Sequence, residues 1–238
     1  MTAGAPLRVL AFDVFGTVVD WRGGIIAAGE QLAARHRLRA DWPALADAWR
    51  AAYQPSMERV RRGERPWTGL DVLHRESLDA LAPRFGLDGL GDAERSELTR
   101  AWHALPPWPD AADGLARLRR RYLVATLSNG PVALLVALAR HGGLVWDCVL
   151  SAELVRRYKP DPEAYLQVPR LLAVSPGEVL MVAAHQDDLT AARSQGLRTA
   201  YVHRPLEFGP GAGPTRPAPG TFDYEVGDFL ELAARLGP

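Results

Sequence analysis

The sequence predicts an α/β protein, a parallel sheet flanked by helices, with an all-helical insertion after the first strand. Three observations carry this. Five short apolar runs are near-continuous rather than alternating, which is the signature of strands buried on both faces. Helix-like segments follow the later runs, giving the strand–helix–strand order of right-handed crossovers. The stretch from Trp21 to about Leu105 breaks that rhythm and shows helical periodicity without a convincing strand.

In chain order, residues 9–12 form the first run and lead into Asp13-Val14-Phe15-Gly16-Thr17. Four helices are expected in the insertion, near 24–38, 42–62, 68–84 and 93–104. Leu45, Ala48, Trp49, Ala52 and Tyr53 give the second of these its i, i+3, i+4, i+7, i+8 apolar stripe. The second strand, 123–127, ends in Ser128-Asn129-Gly130, and further strands are expected at 148–150, 179–182 and 199–202. Helices are expected over 110–121, 131–141, 161–173 and 188–196. The Gly/Pro-rich segment 207–220, EFGPGAGPTRPAPG, reads as a surface loop. An insertion after the first strand's loop lies over the carboxyl edge of the sheet, where open α/β folds bind ligands. Residues 1–20 and 106–238 are therefore expected to form the core domain, and 21–105 a cap over its crevice.

Composition narrows the function. The 238 residues are 47% hydrophobic and 24% charged, and 28 basic residues balance 28 acidic ones. Zero net charge gives no electrostatic footprint for nucleic acid or an anionic membrane. The single cysteine, Cys148, excludes an internal disulfide and a cysteine zinc site. No apolar run reaches the roughly 18 residues of a membrane span, and the first residues lack a signal-peptide pattern. A cytoplasmic enzyme is the expectation. Lys159 is the only lysine in a chain that otherwise uses arginine. Arginine cannot replace a compact ammonium where a point charge is needed, so the surviving lysine is a candidate for chemistry.

The candidate groups follow strands or their connecting loops. Asp13 ends the first strand at a Gly-Thr turn, where the Val14 and Phe15 amides can face an anion. Ser128 and Asn129 end the second strand. Lys159 lies in Tyr158-Lys159-Pro160-Asp161-Pro162, a stiff loop before a helix. The fourth strand runs into Ala183-Ala184-His185-Gln186-Asp187-Asp188. All of these can converge on one crevice.

FDVFGTVVD, LSNG, YKPDPEAY and VAAHQDDLTAARSQGLRTAYV resemble, in order and spacing, the four motifs of the haloacid dehalogenase superfamily. The resemblance spans nearly the whole chain. It implies a Rossmann-like three-layer α/β/α core with a helical cap. Two departures separate the chain from the superfamily's magnesium phosphatases: Phe15 replaces their second, proton-transferring aspartate, and Ala184 replaces a metal-binding carboxylate. What remains resembles the type II (S)-2-haloacid dehalogenases, which use neither metal nor cofactor.

The resemblance implies a role for each residue. Asp13 is the nucleophile that attacks C2 of a short 2-haloalkanoic acid and forms an ester, with inversion. Thr17 holds the first loop. Val14 and Phe15 amides, with Ser128 and Asn129, bind the substrate carboxylate. Lys159 keeps Asp13 ionised, with Tyr165 beside it, and Asp188 positions Lys159 and the hydrolytic water. Arg50 receives the halide. His185 stands where the family has an asparagine thought to hold water, and is expected to hold or activate it. Trp21 and Trp67 are expected to wall the pocket; His36, His74, His103, His141 and His203 are read as structural or surface. The expected partners are a small 2-haloacid, halide ion and a second copy of the chain as a homodimer. Fluoroacetate or a ring-amine carboxylate, a phosphate ester, and a non-catalytic carboxylate-binding role are the alternatives.

Overall fold

The computed structural model describes residues 6–237. Six strands, β1 (Val9–Phe12), β2 (Leu123–Ser128), β3 (Cys148–Ser151), β4 (Val179–Ala183), β5 (Arg198–Val202) and β6 (Tyr224–Val226), form one sheet in the order β3-β2-β1-β4-β5-β6. All neighbouring pairs are parallel. Phe12 registers with Thr126 on one side and Val182 on the other, so the strand order reverses around β1 and its carboxyl end opens into the crevice.

Alternate residues of β1 face two apolar layers, as the pleat requires. Leu10 and Phe12 pack with α5 (Ala111–Leu118), α6 (Val132–Gly142) and α9 (Phe229–Leu236). Val9 and Ala11 pack against α7 (Pro162–Leu172) and α8 (Gln186–Ser194) through Tyr165, Val168 and Leu189. This gives the three-layer α/β/α arrangement.

The helical segment contains α1 (Trp21–His36), α2 (Trp42–Arg61), α3 (Leu70–Leu81) and α4 (Asp92–Arg100), the last two extended by single 3₁₀ turns. The helix expected to begin near residue 24 begins at Trp21, because Asp20 caps it by accepting the Gly23 N–H at 2.8 Å. Trp21, Trp49 and Trp102 are its largest buried side chains, each at most 1% exposed. Polar links join the helical segment to the α/β layers, among them the Trp21 indole N–H, which donates to Glu207 Oε1 at 3.1 Å. Arg61 reaches Asp161 at 2.7 Å, and the Tyr158 hydroxyl donates to Thr68 O at 2.7 Å.

Three expectations need correction. The sheet has a sixth strand, followed by α9; β6 is three residues long and lies at the sheet edge. The helix expected over 188–196 starts at Gln186, which puts Asp188 inside its first turn, with His185 at the cap position. The 207–220 segment is largely exposed, but its first residue, Glu207, is completely buried.

Candidate active site

The loop after β1 is held from several sides. The Asp13 N–H donates to Val182 O at 3.0 Å. The Thr17 hydroxyl donates to Asp13 Oδ2 at 2.7 Å and accepts the Ala184 N–H at 2.9 Å, which ties β1 to β4. Arg204 Nε donates to Thr17 O at 2.9 Å while its guanidinium forks onto Asp110 at 2.7 and 2.9 Å. Gly16 turns the chain at φ 81°, a region that favours glycine. Among the described residues, the N–H groups of Val14 and Phe15 have no backbone partner.

Asp13 lies in the middle of a buried ionic chain. Lys159 Nζ bridges Asp13 Oδ1 at 3.0 Å and Asp188 Oδ2 at 2.7 Å, and the Tyr165 hydroxyl donates to Asp188 Oδ1 at 2.6 Å. On the other side, His185 Nδ1 lies 3.2 Å from Asp13 Oδ2, and His185 Nε2 lies 2.8 Å from Glu207 Oε1. Burial by itself pushes the Asp13 carboxyl upward. The Lys159 and His185 charges, with hydrogen bonds from His185 and Thr17, outweigh it and hold Asp13 well below the usual carboxylate range. Burial likewise pushes Lys159 down, and Asp13 and Asp188 together lift it above the ordinary lysine range. Asp13 is thus a carboxylate without a proton.

A cavity of about 470 Å³ opens over this chain. Asp13, Phe15, Asn129, Lys159, Tyr165, His185 and Asp188 reach it from the α/β layers, and Arg50, Tyr53 and Gln54 from α2. The Lys159 N–H donates to Asn129 Oδ1 at 2.8 Å, which leaves the amide NH₂ as the end available to the cavity. The Arg50 guanidinium lies over the faces of Tyr53 (4.5 Å) and Trp21 (5.4 Å), and its Nη1 is buried without a hydrogen-bond partner among the described residues.

Some residues singled out from sequence lie elsewhere. Ser128 and Val14 are buried but contribute no side chain to the cavity; Ser128 Oγ accepts the Gly130 N–H at 3.1 Å. Trp67 packs at a tilt on Tyr158, ring centroids 4.6 Å apart, and does not line the cavity, and Trp21 lies behind Arg50. Tyr53 and Phe15 form the apolar wall instead. His74 is packed on Trp102 at 4.2 Å inside the helical segment.

Sequence reasoning missed Tyr53, Gln54 and Glu207. Tyr53 and Gln54 lie three and four residues after Arg50, on the same helix face, so that spacing was a usable signal. Nothing local marks Glu207.

Fold and site together place the chain among Rossmann-like α/β enzymes whose crevice holds an ionised aspartate beneath a helical segment. The chain belongs to the haloacid dehalogenase-like hydrolase family, which it matches over residues 7–196. An (S)-2-haloacid dehalogenase of Xanthobacter autotrophicus is 30% identical over 83% of this chain and 76% of that protein. Two crystal structures are similar over nearly the whole chain. A defluorinating L-2-haloacid dehalogenase superposes with TM-score 0.93 at 45% identity, covering 97% of this chain and 95% of its own. An L-2-haloacid dehalogenase gives 0.90 at 47%, covering 97% and 98%.

Proposed function

We propose that the protein hydrolyses short 2-haloalkanoic acids to 2-hydroxy acids, without metal, through an ester on Asp13, and that residues 21–105 serve as the cap. The observation that carries this is a carboxylate held ionised by Lys159 and His185 in the same cavity as an arginine whose Nη1 has no protein partner. A nucleophile and a site for the departing anion are thus both supplied, and neither needs to gain or lose a proton.

The substrate carboxylate binds at the Val14 and Phe15 N–H groups and the Asn129 amide. One oxygen of Asp13 attacks C2, a C–O bond forms as the C–halogen bond breaks, and the halide leaves toward Arg50. A guanidinium suits this task because its charge is permanent and it is weakly hydrated. Backside displacement inverts C2. Water then cleaves the ester at the Asp13 carbonyl carbon, regenerating the carboxylate.

Two features support independence from metal. The Lys159 ammonium occupies the space between Asp13 and Asp188 where a cation would sit, and Ala184 offers no side-chain oxygen to ligate one. Fluoride belongs among the leaving groups to be tried, since a structural relative is a defluorinating enzyme.

The test is halide release in the presence of EDTA from chloro-, bromo- and fluoroacetate and from both enantiomers of 2-chloropropionate. Release from at least one substrate that disappears in Asp13→Asn is the expected result. Release that survives Asp13→Asn, or that requires Mg²⁺, overturns the reading.

A further inference from the structure

Glu207 is a completely buried carboxylate that the steps above leave unused. It lies directly against the nucleophile loop: a Cβ on Gly16 would fall 2.1 Å from Glu207 Oε1, so a side chain there would push the carboxylate away in addition to straining φ. Glu207 Oε1 accepts the Trp21 indole N–H at 3.1 Å and faces His185 Nε2 at 2.8 Å; Oε2 is buried without a partner among the described residues. The other nitrogen of His185 faces Asp13 Oδ2 at 3.2 Å. A neutral imidazole has one N–H. Between two carboxylates the ring is satisfied only when both nitrogens carry a proton.

The two oxygens of Asp13 are therefore unlike. Oδ1 meets Lys159 alone, whereas Oδ2 receives the Thr17 hydroxyl at 2.7 Å and lies against His185. We propose that Glu207 holds His185 as an imidazolium, and that this imidazolium and the Thr17 hydroxyl form the oxyanion site for Asp13 Oδ2 when an ester on Oδ1 is hydrolysed. This rests on Asp13 being the nucleophile.

The electrons balance as follows. In the ester, Oδ1 is bonded to C2 of the substrate and Oδ2 is the carbonyl oxygen. Water adds to Cγ, and the C=O π pair moves onto Oδ2, where negative charge collects between two preorganised donors. The pair then returns and the Cγ–Oδ1 bond breaks. Oδ1 leaves in the product with one proton of the water, and the other proton passes to solvent. His185 keeps both protons throughout.

Glu207 touches no reacting atom and is a positioning residue. Burial pushes the His185 imidazole toward the neutral form. Glu207, ahead of Asp13 among the opposing charges, lifts it to about 10. Once Asp13 is esterified, Glu207 is the protein carboxylate still in contact with the ring. The other charged groups around the cavity are Asp187 and Asp188 on α8, Lys159 from the loop before α7, and Arg50 on α2.

Rapid-quench measurements with (S)-2-chloropropionate separate the two steps: chloride reports ester formation, and intact mass reports the ester. In the unaltered protein, ester hydrolysis should fall on the alkaline side, at a pH below the value of about 10 that His185 has in the free protein, because esterification removes the Asp13 charge while Glu207 remains. Glu207→Gln keeps the side-chain shape and should leave a chloride burst of one equivalent per site. Its ester should accumulate at neutral pH, hydrolysis slowing about 100-fold, the scale of losing one oxyanion donor. Its alkaline fall should move toward about 6.5, the ordinary imidazole value. His185→Gln should trap the ester and show no such fall. Hydrolysis in the unaltered protein that instead rises with pH over this range overturns the proposal, since His185 would then be acting as a base. So does a Glu207→Gln protein in which burst and hydrolysis slow equally with an unchanged pH profile. If Glu207→Gln does not fold, the unaltered protein's profile and His185→Gln decide. Absence of halide release by the unaltered protein from every substrate of the panel above refutes the Asp13 reading instead.

Discussion

The α/β half and the helical half of the molecule treat buried charge in opposite ways. In the α/β half the buried charges of the site pair with one another: Asp188, Lys159, Asp13, His185 and Glu207, with the Tyr165 hydroxyl, form one continuous chain of contacts. In the helical half, Arg50 rests on the faces of Tyr53 and Trp21, and its Nη1 is buried without a partner. The difference fits the two ends of the proposed displacement. A carboxylate nucleophile must stay ionised in a low-dielectric pocket, which requires opposite charge close by. A group that receives an anion must keep a donor uncommitted, and aromatic faces stabilise a guanidinium without using its N–H groups.

The comparison is broken most severely at Lys159. Lys159→Met leaves Asp13 and Asp188 buried with no cation between them. Stranding a buried charge costs about 3–5 kcal/mol, readable by urea unfolding, and dehalogenation should fall with it. The share of the pH dependence that Asp13 contributes should also change sign on the acid side. In the unaltered protein Asp13 is depressed, so its contribution is present above the ordinary carboxylate range and is lost as pH falls through the depressed value. In Lys159→Met the stranded carboxylates titrate higher, so stability should recover as pH is lowered through the carboxylate range. Lys159 itself is raised, so the stability it contributes is present below the ordinary lysine value and is lost only when pH rises through its lifted one. A variant as stable as the parent at neutral pH would show that the chain of charges is not coupled.

Arg50 gives the next largest effect. Arg50→Gln should leave the fold intact, because the guanidinium is not committed to an ion pair among the described residues. Loss of one stabiliser of developing charge is expected to lower kcat about 100-fold, mostly in ester formation, and to weaken product inhibition by bromide. If kcat stays and only KM rises, Arg50 binds the substrate carboxylate rather than the halide.

The two halves also differ in how plainly the sequence announces them. β1, β2 and β4 are legible because strands buried on both faces must be apolar at every position. β6 is not: Tyr224 and Glu225 are half-exposed at the sheet edge, where that requirement lapses. Asp13 and Lys159 are legible because a strand end, a glycine turn and a lone lysine are local features. Tyr53 satisfies the apolar stripe of α2 and the cavity wall at once, so the stripe hides its second role. Glu207 is hidden for a different reason. Its burial is fixed by Trp21, 186 residues away in sequence, and by His185, 22 residues away, and no neighbour in its Gly/Pro-rich segment hints at either. Carboxylates paired through distant contacts are invisible to a periodicity argument, since their polarity marks them as surface residues.

A smaller effect tests whether the α/β half depends on its polar satisfaction away from the charges. Ser128 Oγ accepts the buried Gly130 N–H, and Ser128→Ala would strand that donor at about 1–3 kcal/mol, seen as a lower unfolding midpoint. Ser128 does not line the cavity, so KM should change much less than stability; a large rise in KM would return it to the substrate site.

The smallest expected effect lies at the junction of the halves. Arg61, near the end of α2, reaches across to Asp161 in the loop that carries Lys159. Both side chains are about one-fifth to one-quarter exposed, at 25% and 19%, so solvent screens the pair and Arg61→Ala should cost at most about 1 kcal/mol of stability. Its kinetic consequence is the more informative quantity. Asp161 is two residues from Lys159, and Arg50 lies on the same helix as Arg61. If the helical half must be held at a fixed distance for halide to reach Arg50, Arg61→Ala should slow ester formation while leaving ester hydrolysis, whose donors Thr17 and His185 belong to the α/β half, nearly unchanged. Equal slowing of both steps would mean that the junction supports Lys159 rather than the approach of the two halves.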